Sequence, residues 1–145
     1  MEPSLEEKYP TSLYFIKENV SLDEYELHKY VYNLGIVNIP KLYEYNQEKK
    51  VMVMERLGGM SVSDMYGSEA SCIDTEIFNK IRSIVQLLLD HGVEYPDITG
   101  YNFMEDDDKI WVIDFGDARY VNGRVEDPFI LQFLKGHNEG NPFFL

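Results

Sequence analysis

Two stretches of this chain carry residues that could do chemistry. Asp97-Ile-Thr-Gly-Tyr-Asn102 sets a carboxylate and an amide five residues apart in what reads as a loop. Twelve residues beyond Asn102, Val112-Ile113-Asp114-Phe115-Gly116 ends an apolar strand with an acid, an aromatic ring and a glycine. Phosphoryl transfer calls for such groups. It rests on positioning and on neutralising phosphate charge, so it needs oxygen ligands for Mg2+ and an acceptor for a hydroxyl proton. Carboxylate and amide oxygens on loops beside strand ends supply both, and a glycine after the metal ligand lets the backbone turn sharply.

The order and spacing of these groups resemble a known family. Tyr95-Pro-Asp97-Ile-Thr-Gly-Tyr-Asn102 resembles the protein-kinase catalytic loop H-R-D-L-x-x-x-N, and Asp114-Phe-Gly116 resembles its metal-binding triplet. The phrase LLLDHGVEYPD, Leu87–Asp97, is similar to the RIO-type and aminoglycoside-phosphotransferase-like branches. The resemblance implies Asp97 as the catalytic acid/base, Asn102 as a metal ligand and Asp114 as the principal metal ligand. Upstream, Tyr14-Phe15-Ile16-Lys17 resembles the V-A-I-K strand, implying that Lys17 contacts the α- and β-phosphates and assists catalysis. Counting back from Pro40-Lys41-Leu42, Glu26 best matches the glutamate that pairs with this lysine, with Glu24 as the second candidate. Val51–Leu57 resembles the strand and hinge against which adenine binds. Met54 is then the gatekeeper, and Glu55 and Leu57 offer backbone groups. ATP and Mg2+ are the implied ligands.

The chain departs from the pattern at several points. No G-x-G-x-x-G precedes Lys17, so the usual phosphate lid is missing. Tyr95 and Pro96 stand where kinases commonly carry His and Arg, and the His normally supports the loop and the D-F-G segment. After Gly116 there is no A-P-E and too little chain for the helical half that docks protein substrates. The resemblance therefore implies a minimal core of the kind a viral or mobile-element protein would carry, acting on or competing with a host kinase.

The elements that must position these residues read in the order β, α, ββ, long α, ββ, tail. Met1–Pro10 is a loose polar lead-in, and Leu13–Ile16 is a short strand ending near Lys17. From the N-cap Ser21, apolar and tyrosine residues recur at helical spacing until Gly35. Lys41–Tyr45 and Val51–Glu55 form a hairpin across a polar connection. A short helix follows at Ser61–Tyr66. The strongest periodic signal places Ile77, Ile81, Ile84 and Leu88 on one helix face, widened by Phe78, Val85 and Leu87, with Asp74 or Thr75 at its start and Gly92 at its end. Phe103–Met104 and Lys109–Ile113 are strands around the acidic turn Glu105–Asp108, and Pro128 opens a last helix after Asp127.

Composition limits the alternatives. At 44% hydrophobic and 27% charged residues the chain is an ordinary globular domain, and no run approaches the ~18 apolar residues of a membrane span. Twenty-six acids against 13 bases give a net charge of −13, which repels nucleic acid and anionic lipid but not a small phosphate ligand held by metal ions. The single cysteine, Cys72, reads as a small buried or half-buried residue in a reducing, cytoplasmic setting, that of the host for a viral protein. His28, His91 and His137 show no zinc spacing. His28 reads as a packed or surface residue and His91 as a partner of its helix end. The apolar end Asn141–Leu145 must pack back on the body or bind a partner.

The expected fold is α+β and protein-kinase-like. A reduced N-lobe sheet with one helix and the hinge covers about 13–57, and an abbreviated, mainly helical C-lobe covers 58–145. Two functions fit: an ATP/Mg-dependent phosphotransferase of the Ser/Thr-protein-kinase type, and a pseudokinase that binds and regulates a partner kinase. A protein partner or substrate, and pairing of two copies through the apolar face of an unfinished lobe, are further expectations.

Overall fold

The computed structural model describes residues 3–121 and 127–138, so the apolar end Asn141–Leu145 lies outside the described residues. The lead-in is not wholly loose. Ser4 accepts a hydrogen bond from the Glu7 amide and caps a short helix, α1 (Leu5–Lys8). Strand β1 (Tyr14–Lys17) follows, then helix α2 (Leu22–Leu34), capped by the Ser21 hydroxyl on the Glu24 amide. Gly35, at φ 66°, closes α2 in the left-handed conformation that glycine adopts at least cost.

Strands β2 (Leu42–Asn46) and β3 (Val51–Glu55) form the expected hairpin, and β1 joins β3 antiparallel on the other side, giving the sheet order β1-β3-β2. Phe15 stands opposite Met54 and Lys17 opposite Met52. Tyr45 and Tyr25 stack at 4.4 Å and close a small core around Val20, Met52 and Met54.

Beyond Glu55 the chain turns through two glycines into β4 (Met60–Ser61) and α3 (Val62–Tyr66), then a 3₁₀ turn at Ala70–Cys72. Cys72 is exposed rather than buried, because the turn sends its neighbours Ala70 and Ile73 into the core instead. Helix α4 (Thr75–Asp90) buries Ile77, Phe78, Ile81, Ile84, Val85 and Leu88. Leu87 does not join them. It sits ~110° round the helix from the centre of that face and is exposed.

The remaining strands are β5 (Val93–Glu94), β6 (Phe103–Asp106), β7 (Lys109–Val112) and β8 (Arg119–Tyr120). They form a three-stranded sheet β4-β6-β7 and a two-stranded β5-β8 pair. Helix α5 (Pro128–Leu134), capped by Asp127 with proline in its first turn, packs Ile130 and Phe133 against the main core. That core runs from Leu27 and Val31 of α2 through α4 to Val112 and Phe115, so one apolar body carries both chemical segments. The architecture is α+β, as expected, and none of the described helices is long and apolar enough to cross a membrane.

Candidate active site

Lys17 ends β1 and reaches two acids. Its Nζ pairs with Glu24 Oε2, and it lies 3.1 Å from Asp114 Oδ1. The sequence comparison favoured Glu26 for this pairing, and the structure corrects it to Glu24. Ser21 fixes the start of α2, and from there Glu24 shares a face with Leu27, His28 and Val31, all buried. Glu26, two residues on, is turned ~200° away and exposed.

Asp114 lies two residues beyond the end of β7. Its Oδ1 accepts the Gly116 amide at 2.8 Å. Gly116 matters there for space rather than for a left-handed turn: a Cβ would crowd Asp114 Oδ1 at 3.1 Å and touch Glu24 Oε1 at 3.5 Å. The Asp114 carbonyl accepts from the hydroxyl of Tyr95, which is fully buried. Tyr95 packs its ring against Phe103 at 5.6 Å and edge-on against Phe115 at 5.7 Å. Tyr95 thus supplies from the histidine position the support that its replacement had put in question. Burial and the charge of Asp114 push its phenol well above the usual range, so it stays a neutral donor.

The loop between β5 and β6 is held by its own short bonds. The Thr99 amide donates to the Asp97 carbonyl at 3.0 Å and the Asn102 amide to the Thr99 carbonyl at 3.1 Å. Asn102 Nδ2 donates to the Asp97 carbonyl at 2.8 Å and to Asp97 Oδ2 at 2.9 Å. This commits the amide nitrogen and leaves Oδ1 as the atom Asn102 can offer a metal. The Gly100 carbonyl takes the Ser63 amide at 2.9 Å, and a Cβ on Gly100 would meet Ser63 Oγ at 2.1 Å, so the loop lies directly on the start of α3. The Ile113 amide donates to the Asn102 carbonyl at 3.0 Å and ties the two chemical segments together.

Asp117, which the sequence reading passed over, joins the cluster. Burial raises its carboxyl, as do the charge of Asp97, a hydrogen bond with Asp97 and the charge of Asp114. Its only signal in the sequence is a second acid just after the D-F-G triplet.

Among the described residues no group of three or more His, Cys, Asp or Glu side chains is placed to hold a metal ion alone. Mg2+ does not need one. It takes one or two carboxylates plus substrate phosphates and keeps several waters. The Asp114 carboxylate and Asn102 Oδ1 are oxygen donors of that kind, so the residues present fit the ion.

Two further residues, His28 and Tyr30, fasten helix α2. His28 Nε2 donates to the Pro40 carbonyl at 2.8 Å, and its ring meets Phe115 edge-on at 5.4 Å. Burial lowers its pKa to about 4, against a raising effect of the Pro40 bond, so His28 is neutral. Tyr30 donates to the His91 carbonyl at 3.0 Å and packs edge-on against Tyr120.

A cleft of ≈160 Å3 lies between the sheet and the lower body and reaches β1 at Phe15, two residues from Lys17. Phe15, Met54 and the hinge residues Glu55–Leu57 line one part of it, and Met104 and Ile113 line the other. The Glu55 amide is taken by the Lys41 carbonyl and the Arg56 amide by the Leu13 carbonyl, which leaves the Glu55 carbonyl and the Leu57 amide as hinge groups. Small-molecule sites usually span ~300–1,000 Å3, so this recess suits one planar end of a ligand whose remainder extends toward Lys17.

The sequence model of the RIO domain family matches residues 6–134. The EKC/KEOPS complex subunit BUD32 of Enterocytozoon bieneusi (strain H348) is 29% identical over 150 residues, covering 86% of this chain and 73% of that protein. The Rio2 kinase-ADP/Mg2+-phosphoaspartate complex from Chaetomium thermophilum has the same fold, with a TM-score of 0.56 at 13% identity over 79% of this chain. The match takes in 34% of that chain, so the present sequence spans about a third of its length. Of the two branches the sequence resembled, these matches speak for the RIO type, and they lend no support to a viral source.

Proposed function

The chain belongs to the RIO domain family of protein-kinase-like proteins, and from that premise we propose that it is a Mg·ATP-dependent phosphotransferase acting on a hydroxyl acceptor of the Ser/Thr type. The observation that carries this reading is Lys17, held between Glu24 and Asp114 and standing two residues along β1 from Phe15, which lines the hinge cleft. A lysine so oriented offers its charge to phosphate oxygens. Asp114 and Asn102 would hold Mg2+, which supplies neutralisation of phosphate charge when bound. Asp97 is fixed by Asn102 and accepts the acceptor hydroxyl's proton. The Glu55 carbonyl and Leu57 amide meet the base. A pure binding module is the less favoured reading, because it has no use for an amide clamp on Asp97, and Asp97 has no metal or nucleotide to hold. BUD32 is a complex subunit by name, and a protein partner for this chain is part of the proposal.

The test is transfer of label from γ-labelled ATP to the protein itself and to a cell extract, for wild type and Asp97→Asn side by side. The expected outcome is transfer by wild type and a ~10²–10⁴-fold loss in Asp97→Asn, with Mg·ATP binding retained. Transfer no greater than the Asp97→Asn background overturns the enzyme reading. Hydroxylamine treatment then sorts the product. Label on a serine or threonine survives, whereas an aspartyl phosphate, the group named in the Rio2 complex, is released.

A further inference from the structure

Two side-chain oxygens among the described residues are buried without a hydrogen-bond partner, Glu44 Oε2 and Ser63 Oγ. They are not alike. The Glu44 side chain is 37% exposed and its other oxygen faces Lys8 at 3.5 Å, an ordinary surface ion pair. Ser63 is only 5% exposed, and the packing around its Oγ leaves no room for a water molecule to reach it. A buried hydroxyl without a bond is destabilising, and native structures hold few. Nothing in α3 asks for it. That helix is already capped by Ser61, which accepts the Asp64 amide at 3.0 Å and donates to Asp64 Oδ2 at 2.7 Å. Alanine is also the better helix former at such a position.

The hydroxyl faces the catalytic loop. The Ser63 amide donates to the Gly100 carbonyl at 2.9 Å, so the start of α3 is tied to the middle of the segment between Asp97 and Asn102. Oγ lies where a side chain on Gly100 would begin, since a Cβ there would be 2.1 Å from it. Bare backbone is therefore what the hydroxyl meets. The loop is bonded to itself, with Asn102 Nδ2 on Asp97 and Thr99 Oγ1 accepting the Tyr101 amide at 3.2 Å. Mg2+ on Asn102 Oδ1 and an acceptor hydroxyl on Asp97 would draw on both ends of this segment. Hydrogen bonds of a catalytic segment commonly tighten only when the ligands are bound.

We infer that Ser63 is a positioning residue for the catalytic loop, its unpaired hydroxyl taking a backbone group of residues 99–101 when Mg2+ and nucleotide bind and so seating Asp97 and Asn102. This rests on the nucleotide reading of the same site. It goes further in giving a role to a residue outside both chemical segments, and in giving the loop two settings that differ by one hydrogen bond.

The experiment compares wild type, Ser63→Ala and Ser63→Thr by thermal unfolding of the protein alone and by titration calorimetry with Mg·ATP. Ser63→Ala removes the unpaired oxygen, so its Tm without ligand should rise by ~3–9 °C. The same variant lacks the bond made on binding, and its Kd for Mg·ATP should rise ~5–150-fold. A merely structural residue would lose stability and affinity together, whereas here the two move in opposite senses. Ser63→Thr keeps the hydroxyl and should bind Mg·ATP within ~3-fold of wild type. The inference is overturned if Ser63→Ala alone melts at or below wild type, since the hydroxyl is then already bonded. It is also overturned if Ser63→Ala binds Mg·ATP as tightly as wild type, or if Ser63→Thr is weakened as much as Ser63→Ala, since side-chain shape and not the hydroxyl then matters. Each of these results removes the inference and leaves the nucleotide reading standing. Wild type that binds no Mg·ATP removes the nucleotide reading and this inference with it.

Discussion

Glu24→Gln and Glu26→Gln delete the same charge two residues apart on one helix, and they should differ sharply. Glu24 is buried against Lys17, whose side chain is 21% exposed. Removing one partner of a fully buried pair costs ~3–5 kcal/mol. Two features lower that figure here. Lys17 keeps Asp114 at 3.1 Å, so its charge is not orphaned, and solvent reaches part of it. What remains is the loss of a charge-assisted hydrogen bond, for an expected cost of about 1–3 kcal/mol. Glu26 is exposed, and its replacement should stay within about 0.5 kcal/mol. Relief of self-repulsion in a chain of net charge −13 is common to both variants and cancels in the comparison. Urea unfolding measures the difference directly, with a lower midpoint for Glu24→Gln at unchanged slope. For a domain of this size the same loss lowers Tm by roughly 3–9 °C. Equal costs for the two variants, or a larger one for Glu26→Gln, would refute the assignment of the Lys17 partner.

Tyr95→Phe keeps the ring between Phe103 and Phe115 but strips the donor from the Asp114 carbonyl. It should cost about 1–3 kcal/mol in urea unfolding and raise the calorimetric Kd for Mg·ATP, and an unchanged Kd would show that Asp114 does not need this anchor. His28 titrates at about 4 in the fold against ~6.5 unfolded, so the unfolded chain takes the proton first and stability falls as pH drops from ~6.5 through ~4. His28→Gln removes this component, so the stability gap between wild type and variant should narrow by up to ~3 kcal/mol over that range in pH-resolved urea midpoints. Gly100→Ala places a Cβ against the Ser63 amide and hydroxyl, and thermal unfolding should show a loss of about 1–3 kcal/mol from overpacking.

Much of this was legible from local pattern. The face of α4 follows from Ile77, Ile81, Ile84 and Leu88 recurring at helical spacing, and the caps Ser21, Gly35 and Asp127 fall where their side-chain or backbone chemistry requires. Strand β3 runs over Val51–Glu55, the expected bounds. The residues that escaped reading are those whose roles depend on direction rather than spacing. Glu24 and Glu26 both lie on a helix near Lys17, and only the rotation set by Ser21 separates them. Strands β4, β5 and β8 are two residues each, too short to show a period, and exist through their partners. Tyr95 looked like a lost histidine because its hydroxyl finds its acceptor nineteen residues further along the chain.

The fastening of α2 bears on how such a protein could be switched. His28 holds it to Pro40 and Phe115, Tyr30 holds it to His91 and Tyr120, and Glu24 holds it to Lys17. An outward swing of this helix would have to break all of these at once, including two in the buried interior. A device so bolted is poorly suited to toggling between on and off by helix displacement.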